Sequence, residues 1–87
     1  MIKKGFYLHR GYGWKKDLKI FEVVNRTKDK TFYKTWHDGV WLPIQNYDNI
    51  FPSGNGWLLE LQESNNLEPI TEEQVRKEII KWTLKND

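Results

Sequence analysis

The chain contains no cysteine and only two histidines, which limits the chemistry available to it. Without cysteine it has no disulfides and no thiolate metal sites, as is usual in a reducing cytosol. His9 and His37 have no partner at the spacing of metal ligands, so we expect neither a metal site nor a cofactor. Neither histidine comes with a recognisable nucleophile and orienting group. The sequence therefore predicts a protein that is not an enzyme.

Long apolar runs and alanine are also missing. No stretch has the length of a signal-peptide core or a membrane span, so we expect a cytoplasmic, non-exported protein without a membrane partner. Lysine outnumbers arginine eleven to three, and alanine is absent. This bias is typical of AT-rich coding sequences, such as those of low-GC bacteria and their phages.

Aromatic side chains, by contrast, are abundant: five tryptophans, four tyrosines and four phenylalanines in 87 residues. A chain of this length forms one small domain, here residues 1–87. Large aromatic side chains bury enough apolar area for so short a chain to fold without disulfides or metals.

The clearest local signal is a β-hairpin over residues 31–44, TFYKTWHDGVWLPI. Asp38-Gly39 suits a type I′ turn, which needs positive φ at both central residues. A two-residue turn places Trp36 opposite Trp41 at a non-hydrogen-bonded position. Pro43 indicates an edge strand or a bulge.

Alternation along the hairpin makes both of its faces largely apolar. One face carries the two tryptophans, and the other carries Val40, Leu42 and Ile44. Either the tryptophans belong to the core while a helix or second sheet covers the aliphatic face, or the tryptophans are partly exposed to a partner.

A C-terminal helix is predicted over residues 71–85. Thr71 and Gln74 form a capping box, and Ile70 lies at the hydrophobic-staple spacing from Val75. Two further sets of residues follow from helical spacing: the i,i+4 ion pairs Glu72–Arg76 and Glu73–Lys77, and the sheet-facing stripe Val75, Ile79 and Trp82. Ile80 and Leu84 form a second apolar pair on the other side of the helix. Either the helix end frays or a loop wraps the pair, or a partner or a second copy of the chain packs there, which would make a homodimer.

The remaining strands are predicted over residues 5–10, 18–24 and 57–62, with an irregular loop over 45–56 and a polar connector over 63–70. A long first loop followed by a tight hairpin between the third and fourth strands resembles the layout of an SH3-like barrel over residues 5–62. The predicted fold is therefore mainly β with one C-terminal helix. It is either a small five-stranded SH3-like barrel or a strongly bent antiparallel sheet packed by the helix.

Charge is distributed unevenly. Residues 1–44 hold ten Lys or Arg against four Asp or Glu, whereas residues 45–87 hold four against eight. The two halves either neutralise one another in the fold or leave a basic face. The loop between the first two strands mixes cations with aromatic rings, a combination that suits nucleic acid or an acidic protein groove. Its candidate binding residues are Arg10, Tyr12, Trp14, Lys15, Lys16 and Lys19.

Together these features predict a small non-enzymatic binding protein that occupies a surface of a protein or of a protein–nucleic-acid complex. A phage or mobile-element inhibitor or adaptor fits the composition. In this interpretation Trp14, Trp36 and Trp41 anchor the partner, and the lysines steer its approach. The alternative is direct binding of nucleic acid by the basic aromatic loop.

Overall fold

The computed structural model describes residues 3–10, 18–49 and 67–86, which form a mainly β protein with one C-terminal helix, as predicted. The elements follow in this order: β1 (Gly5–Arg10), β2 (Leu18–Arg26), β3 (Lys30–His37), β4 (Val40–Trp41), β5 (Gln45–Asp48), β6 (Glu68–Ile70) and α1 (Glu72–Lys85). The first strand has the predicted bounds. The strand predicted over 57–62 lies outside the described residues.

The six strands form one antiparallel sheet. Its strand order is β4-β3-β2-β1-β6, and β5 pairs with β3 on the same side as β4. Within the described ranges no pairing joins the two edges of this order, so that part of the sheet is open. An open, antiparallel sheet packed by a helix was one of the two predicted folds, and barrel closure is not part of the described structure.

The hairpin between β3 and β4 forms as predicted. Asp38 has φ of 51° and Gly39 has φ of 86°, the positive values of a type I′ turn. Trp36 pairs with Trp41 in the expected register. The next hydrogen bond runs from the Leu42 N–H to the Thr35 carbonyl at 2.7 Å, which confirms that the tryptophan pair is at a non-hydrogen-bonded position.

Beyond this hairpin the chain kinks at Pro43 and pairs with β3 again. Three residues separate Trp41 from Gln45, whereas only two separate their partners Trp36 and Tyr33 on β3. The extra residue is a β-bulge at the proline, as the sequence predicted. The prediction of an irregular loop from residue 45 was wrong, because Gln45–Asp48 is strand β5.

The turn between β2 and β3 is shorter than the gap between the predicted strands, residues 25–30, because β2 continues to Arg26 and β3 begins at Lys30. The Thr27 hydroxyl accepts the Lys30 N–H at 3.0 Å and the Asp29 N–H at 3.3 Å. Asn49, which follows β5, braces the turn from outside: its amide donates to the Thr27 carbonyl at 3.0 Å, and its own N–H donates to the Asp29 carbonyl at 2.8 Å. This turn is therefore held by side chains as well as by backbone hydrogen bonds.

Strand β6 occupies part of the segment that was predicted to be a connector. Ile70 pairs with Phe6, and Glu68 pairs with Leu8, so β6 adds an edge strand beside β1. The prediction of a connector was therefore wrong for Glu68–Ile70. This pairing also fixes where α1 begins, because the N-cap Thr71 follows directly.

The helix N-terminus has the predicted caps. The Thr71 hydroxyl accepts the Gln74 N–H at 3.2 Å, and the Gln74 side chain accepts the Thr71 N–H at 2.8 Å. Ile70 and Val75 belong to the same apolar cluster, as a hydrophobic staple requires. The expected i,i+4 ion pairs are present, with Arg76–Glu72 at 3.2 Å and Lys77–Glu73 at 3.7 Å.

Apolar side chains are buried on both faces of the sheet. The helix covers one cluster, whose buried members are Leu8, Ile20, Trp36 and Val75, with Ile79 and Trp82 packed against them. This confirms the predicted helix stripe. The opposite face carries a second cluster: Tyr7, Phe21, Val23, Tyr33, Tyr47 and Leu67. The two-sided burial explains why the strands lack a simple alternation of polar and apolar residues.

Candidate interaction surface

Four large apolar side chains of one chain segment are exposed: Val40 (56%), Trp41 (40%), Leu42 (41%) and Ile44 (53%). We call these four residues the hairpin patch. They belong to β4 and to the bulge that follows it, at the edge of the sheet. In monomers, an exposed apolar cluster of this kind marks an interaction site more often than isolated surface residues do.

Strand alternation divides the hairpin patch between the two faces of the sheet. Trp41 is paired with Trp36 and therefore lies on the helix-covered face. Val40 and its neighbour Leu42 lie on the opposite face. Consequently the edge strand presents apolar side chains to solvent on both sides, whereas a solvated edge strand normally carries polar or charged ones.

The patch also lies in an uncharged run. Residues 39–47 contain no charged side chain, although 30% of the whole chain is charged. Asp38 and Asp48 stand at its two ends. The hairpin patch is thus suited to apolar contacts and has no charged group within its own segment to attract an ionic partner.

Trp36 is 2% exposed and belongs to the core, not to the surface. Its ring meets the ring of Trp82 edge-on, with centroids 5.4 Å apart and an interplanar angle of 87°. This placement agrees with a core role for Trp36 and removes it from the set of partner-binding residues, because a buried ring offers no area to a partner. The expectation that a helix covers the aliphatic face was wrong for the described helix, which packs on the face of Trp36, while Val40 and Leu42 stay exposed. Trp41 agrees with the second alternative, since it remains partly exposed.

Most of the basic aromatic loop lies outside the described residues, including Tyr12, Trp14, Lys15 and Lys16. Arg10 closes β1, and its side chain is also outside the described part. Lys19 is partly buried in β2.

Lys19 is paired with His9 across the strands. Burial of the imidazole, and secondarily the charge of Lys19, hold the pKa of His9 below its ordinary value of 6.5.

Several described cations lie opposite carboxylates. Lys34 is paired with Glu22 across β2 and β3, and Lys30 is paired with Asp48 across β3 and β5. In the helix, Arg76 and Lys77 form the ion pairs given above. Of these pairs only Lys30–Asp48 joins the two halves of the sequence, so mutual neutralisation of the halves and a basic face both stay predictions.

A second, smaller exposed apolar pair lies on the outer side of the helix. Ile80 is 57% exposed and Leu84 is 73% exposed. Helical spacing places both on the side opposite the buried Val75. The predicted apolar pair therefore exists as a surface feature, and its use in a homodimer stays a prediction.

Titratable side chains are the candidates for a chemical site in the described part of the chain. Within them, no group of three or more His, Asp or Glu side chains is placed to hold a metal ion. The His37 Nδ1 atom lies 3.6 Å from an Asp38 carboxylate oxygen at the exposed turn. No helix among the described elements is both long and apolar enough to cross a membrane.

Sequence reasoning missed Val40, Leu42 and Ile44 as candidate contact residues. The signal that identifies them was present: Pro43 marked an edge or a bulge, and the surrounding run lacks charge. What could not be read from the sequence is that side chains on both faces of this edge stay partly exposed.

Comparisons of the chain with protein-family models, with curated proteins and with solved structures find no match.

Proposed function

We propose that this chain is a non-enzymatic binding protein that occupies a surface of another protein or of a protein–nucleic-acid complex. The observation that supports this proposal is the hairpin patch, which exposes apolar side chains on both sides of an uncharged edge strand. Trp41 is the anchor, because large aromatic residues contribute most to binding when a partner surface encloses them. Val40, Leu42 and Ile44 form the apolar surroundings that exclude water.

The composition supports a more specific role as an inhibitor or adaptor carried by a phage or mobile element and acting in the cytoplasm. Such proteins work by contact area alone, which fits a short chain whose described residues show no catalytic constellation. The partner would then be a larger protein or assembly of the host cell. Binding through an uncharged apolar patch depends little on ionic strength, because few ion pairs form.

An SH3-like arrangement is the finer description of the fold that we propose. Strands β1 to β4 form a meander, and the short last strand β6 returns to pair with β1. This order is what such barrels share. The support is limited to the order of the strands.

The experiment is affinity capture from a low-GC bacterial lysate with purified wild type, Trp41→Ala and Ile80→Ala as baits. Ile80→Ala is the matched control, because it removes an exposed apolar side chain from a different surface. We expect a protein captured by wild type and by Ile80→Ala but not by Trp41→Ala, followed by direct binding of the purified pair. Equal capture by all three baits, or loss only with Ile80→Ala, would contradict the proposed surface.

The alternative proposal is direct nucleic-acid binding by the basic aromatic loop. Its support is compositional, since Lys15 and Lys16 directly follow the aromatic pair Tyr12 and Trp14 in sequence. Titrating oligonucleotide binding against salt tests it, because each phosphate contact adds to the slope of log affinity against log salt. Steep salt dependence that is reduced in Lys15→Gln would favour this alternative over the hairpin patch, and no binding at low salt would exclude it.

A further inference from the structure

We propose that two copies of this chain associate through their β4 edges in a two-fold symmetric, antiparallel pairing centred on Trp41. The inference uses the same surface as the proposed function but does not depend on it. It rests on the hydrogen-bond register of the hairpin, on the two-sided exposure of apolar side chains and on the absence of charge in the segment.

The register identifies which backbone groups of β4 face outward. Val40 and Leu42 direct their backbone groups toward β3, as the hydrogen bond from the Leu42 N–H to the Thr35 carbonyl at 2.7 Å shows. Alternation then directs the N–H and C=O of Trp41 away from β3. Among the described residues β4 pairs with β3 alone, so these two groups lie at a sheet edge.

Pro43 restricts how a second strand can add to this edge. Pro43 lies in the bulge that follows β4, and proline has no N–H to donate. Any register that needs a donor at Pro43 loses a hydrogen bond. A pairing of Trp41 with Trp41 of a second copy places Pro43 across from Gly39, which belongs to the turn and does not continue the ladder. No donor at Pro43 is then needed, and each Trp41 donates its N–H to the carbonyl of the other.

This register also brings the exposed side chains together. With Trp41 on the two-fold axis, the two indoles lie side by side on the helix-covered face. On the opposite face Val40 of each copy lies directly across from Leu42 of the other, at the closer, non-hydrogen-bonded spacing. One symmetric pairing therefore covers exposed apolar groups on both faces of both copies.

Charge does not oppose this contact. Natural edge strands are commonly protected from pairing by lysine or by inward-pointing charges. Residues 39–47 contain neither, and the proline and the short length of β4 are the protections present. Two copies can therefore approach without bringing like charges of this segment together. Because the two-fold pairing occupies the β4 edge of both copies, this contact closes as a dimer and leaves no free β4 edge for a third copy.

The exposed area sets the strength of the association. With roughly 150–250 Å² for an aromatic side chain and less for Val, Leu and Ile, the exposed fractions of the hairpin patch leave at most on the order of 400 Å² per copy. A standard interface buries about 800 Å² per partner. The dimer is therefore weak and depends on protein concentration. The helix pair Ile80 and Leu84 offers less area still, so we do not place the dimer contact there.

The test is sedimentation equilibrium of the purified protein from low micromolar to millimolar concentration, combined with amide hydrogen exchange measured by NMR. We expect the average mass to rise toward that of a dimer. The Trp41 amide should become more protected as the concentration increases, since dimerisation gives that amide an acceptor. A mass that stays monomeric at every concentration would overturn the proposal, as would association without added protection of the Trp41 amide.

Two variants locate the contact. Leu42→Lys places a charge opposite Val40 of the second copy, and we expect the dimer dissociation constant to increase by about tenfold or more. Ile80→Lys is the matched control and should leave association unchanged. Thermal unfolding verifies that both variants are folded. Association that survives Leu42→Lys but disappears with Ile80→Lys would refute the edge pairing and identify the helix as the contact.

Discussion

Substitution of Gly39 by alanine tests how the helix and the hairpin fit together. The ring of Trp82 lies directly over Gly39. A Cβ atom added there would be 2.9 Å from both Cη2 and Cζ3 of the indole, closer than such atoms pack. Gly39 also has φ of 86°, a conformation that L-residues with a side chain seldom adopt. Alanine at this position is therefore unfavourable for two separate reasons.

The two contributions have different expected sizes. Positive φ at a non-glycine residue costs about 1–2 kcal/mol. Relieving the contact with the indole requires Trp82 to move away from Trp36, and overpacking of this kind typically costs about 1–3 kcal/mol. We therefore expect Gly39→Ala to lower the free energy of unfolding by about 2–5 kcal/mol. For a domain of this size, each kcal/mol corresponds to about 4–8 °C in Tm.

A double-mutant cycle with Trp82→Leu, followed by urea unfolding, separates the two contributions. When Trp82 is replaced by leucine, Gly39→Ala should lower the free energy of unfolding only through its positive φ. The loss caused by Gly39→Ala should therefore be smaller by about 1–3 kcal/mol than in the wild type. Gly5→Ala is the matched control, since Gly5 also has positive φ, 142°, but an added Cβ would have no heavy atom within 4 Å. Gly5→Ala should lower the free energy of unfolding by the same amount whether residue 82 is Trp or Leu. If Gly39→Ala costs the same with and without Trp82, the proposed packing of the helix on the hairpin turn is incorrect.

Three further predictions concern the core, a turn and pH. Trp36→Ala should lower the free energy of unfolding by about 3–5 kcal/mol and Trp41→Ala by only about 1–2 kcal/mol in urea titrations, because only the first side chain is fully buried. If both substitutions lowered the free energy of unfolding by the same amount, the different burial of Trp36 and Trp41 in the structure would be incorrect. Asn49→Ala should cost about 1–3 kcal/mol in the same assay, since the amide braces the turn between β2 and β3; a neutral effect would show that the brace is dispensable. Because the pKa of His9 is lowered in the folded state, the unfolded state binds the proton more tightly, and stability should decrease as pH falls below 6.5. His9→Gln should remove this decrease and His37→Gln should retain it, and the opposite result would refute the assignment.

The elements that sequence analysis predicted well are those specified by neighbouring residues. The type I′ turn follows from Asp38-Gly39, and that turn fixes the Trp36–Trp41 register without help from the rest of the fold. The start of the helix follows from Thr71 in the same way, because the capping box involves residues only three apart. Local signals of this kind are read directly from the chain.

The elements that were missed depend on pairing between distant residues. Gln45–Asp48 has a polar sequence without strong β-propensity and becomes a strand because β3 offers it an edge. Glu68–Ile70 contains a proline and pairs with β1, which lies about sixty residues earlier in the chain. Tertiary context determines short edge strands more than composition does, so composition alone predicted loops at both places.

Of the hairpin patch, sequence analysis predicted only Trp41 as a contact residue. Its exposure, in contrast to the burial of Trp36, depends on how many strands one helix can cover. A helix with its side chains is about 10–12 Å across, whereas neighbouring strands lie about 4.8 Å apart, so a single helix covers about three strands. It covers Leu8, Ile20 and Trp36 on three successive strands and leaves Trp41 on the fourth partly exposed. The sequence showed that the two tryptophans are neighbours, but not that the edge of the helix runs between them.

The width of the helix explains the exposure of Trp41 but not the exposure of Val40 and Leu42. The exposure of Trp41 follows from the limited width of the helix and by itself requires no partner. No such explanation applies to Val40 and Leu42, which lie on the opposite face, where Tyr33 on the adjacent strand is completely buried. An edge strand that only terminates the sheet would favour polar residues at these two positions. The existence of an interaction surface is therefore indicated mainly by Val40 and Leu42, whereas Trp41, as the large aromatic side chain beside them, is the residue expected to contribute most to binding there.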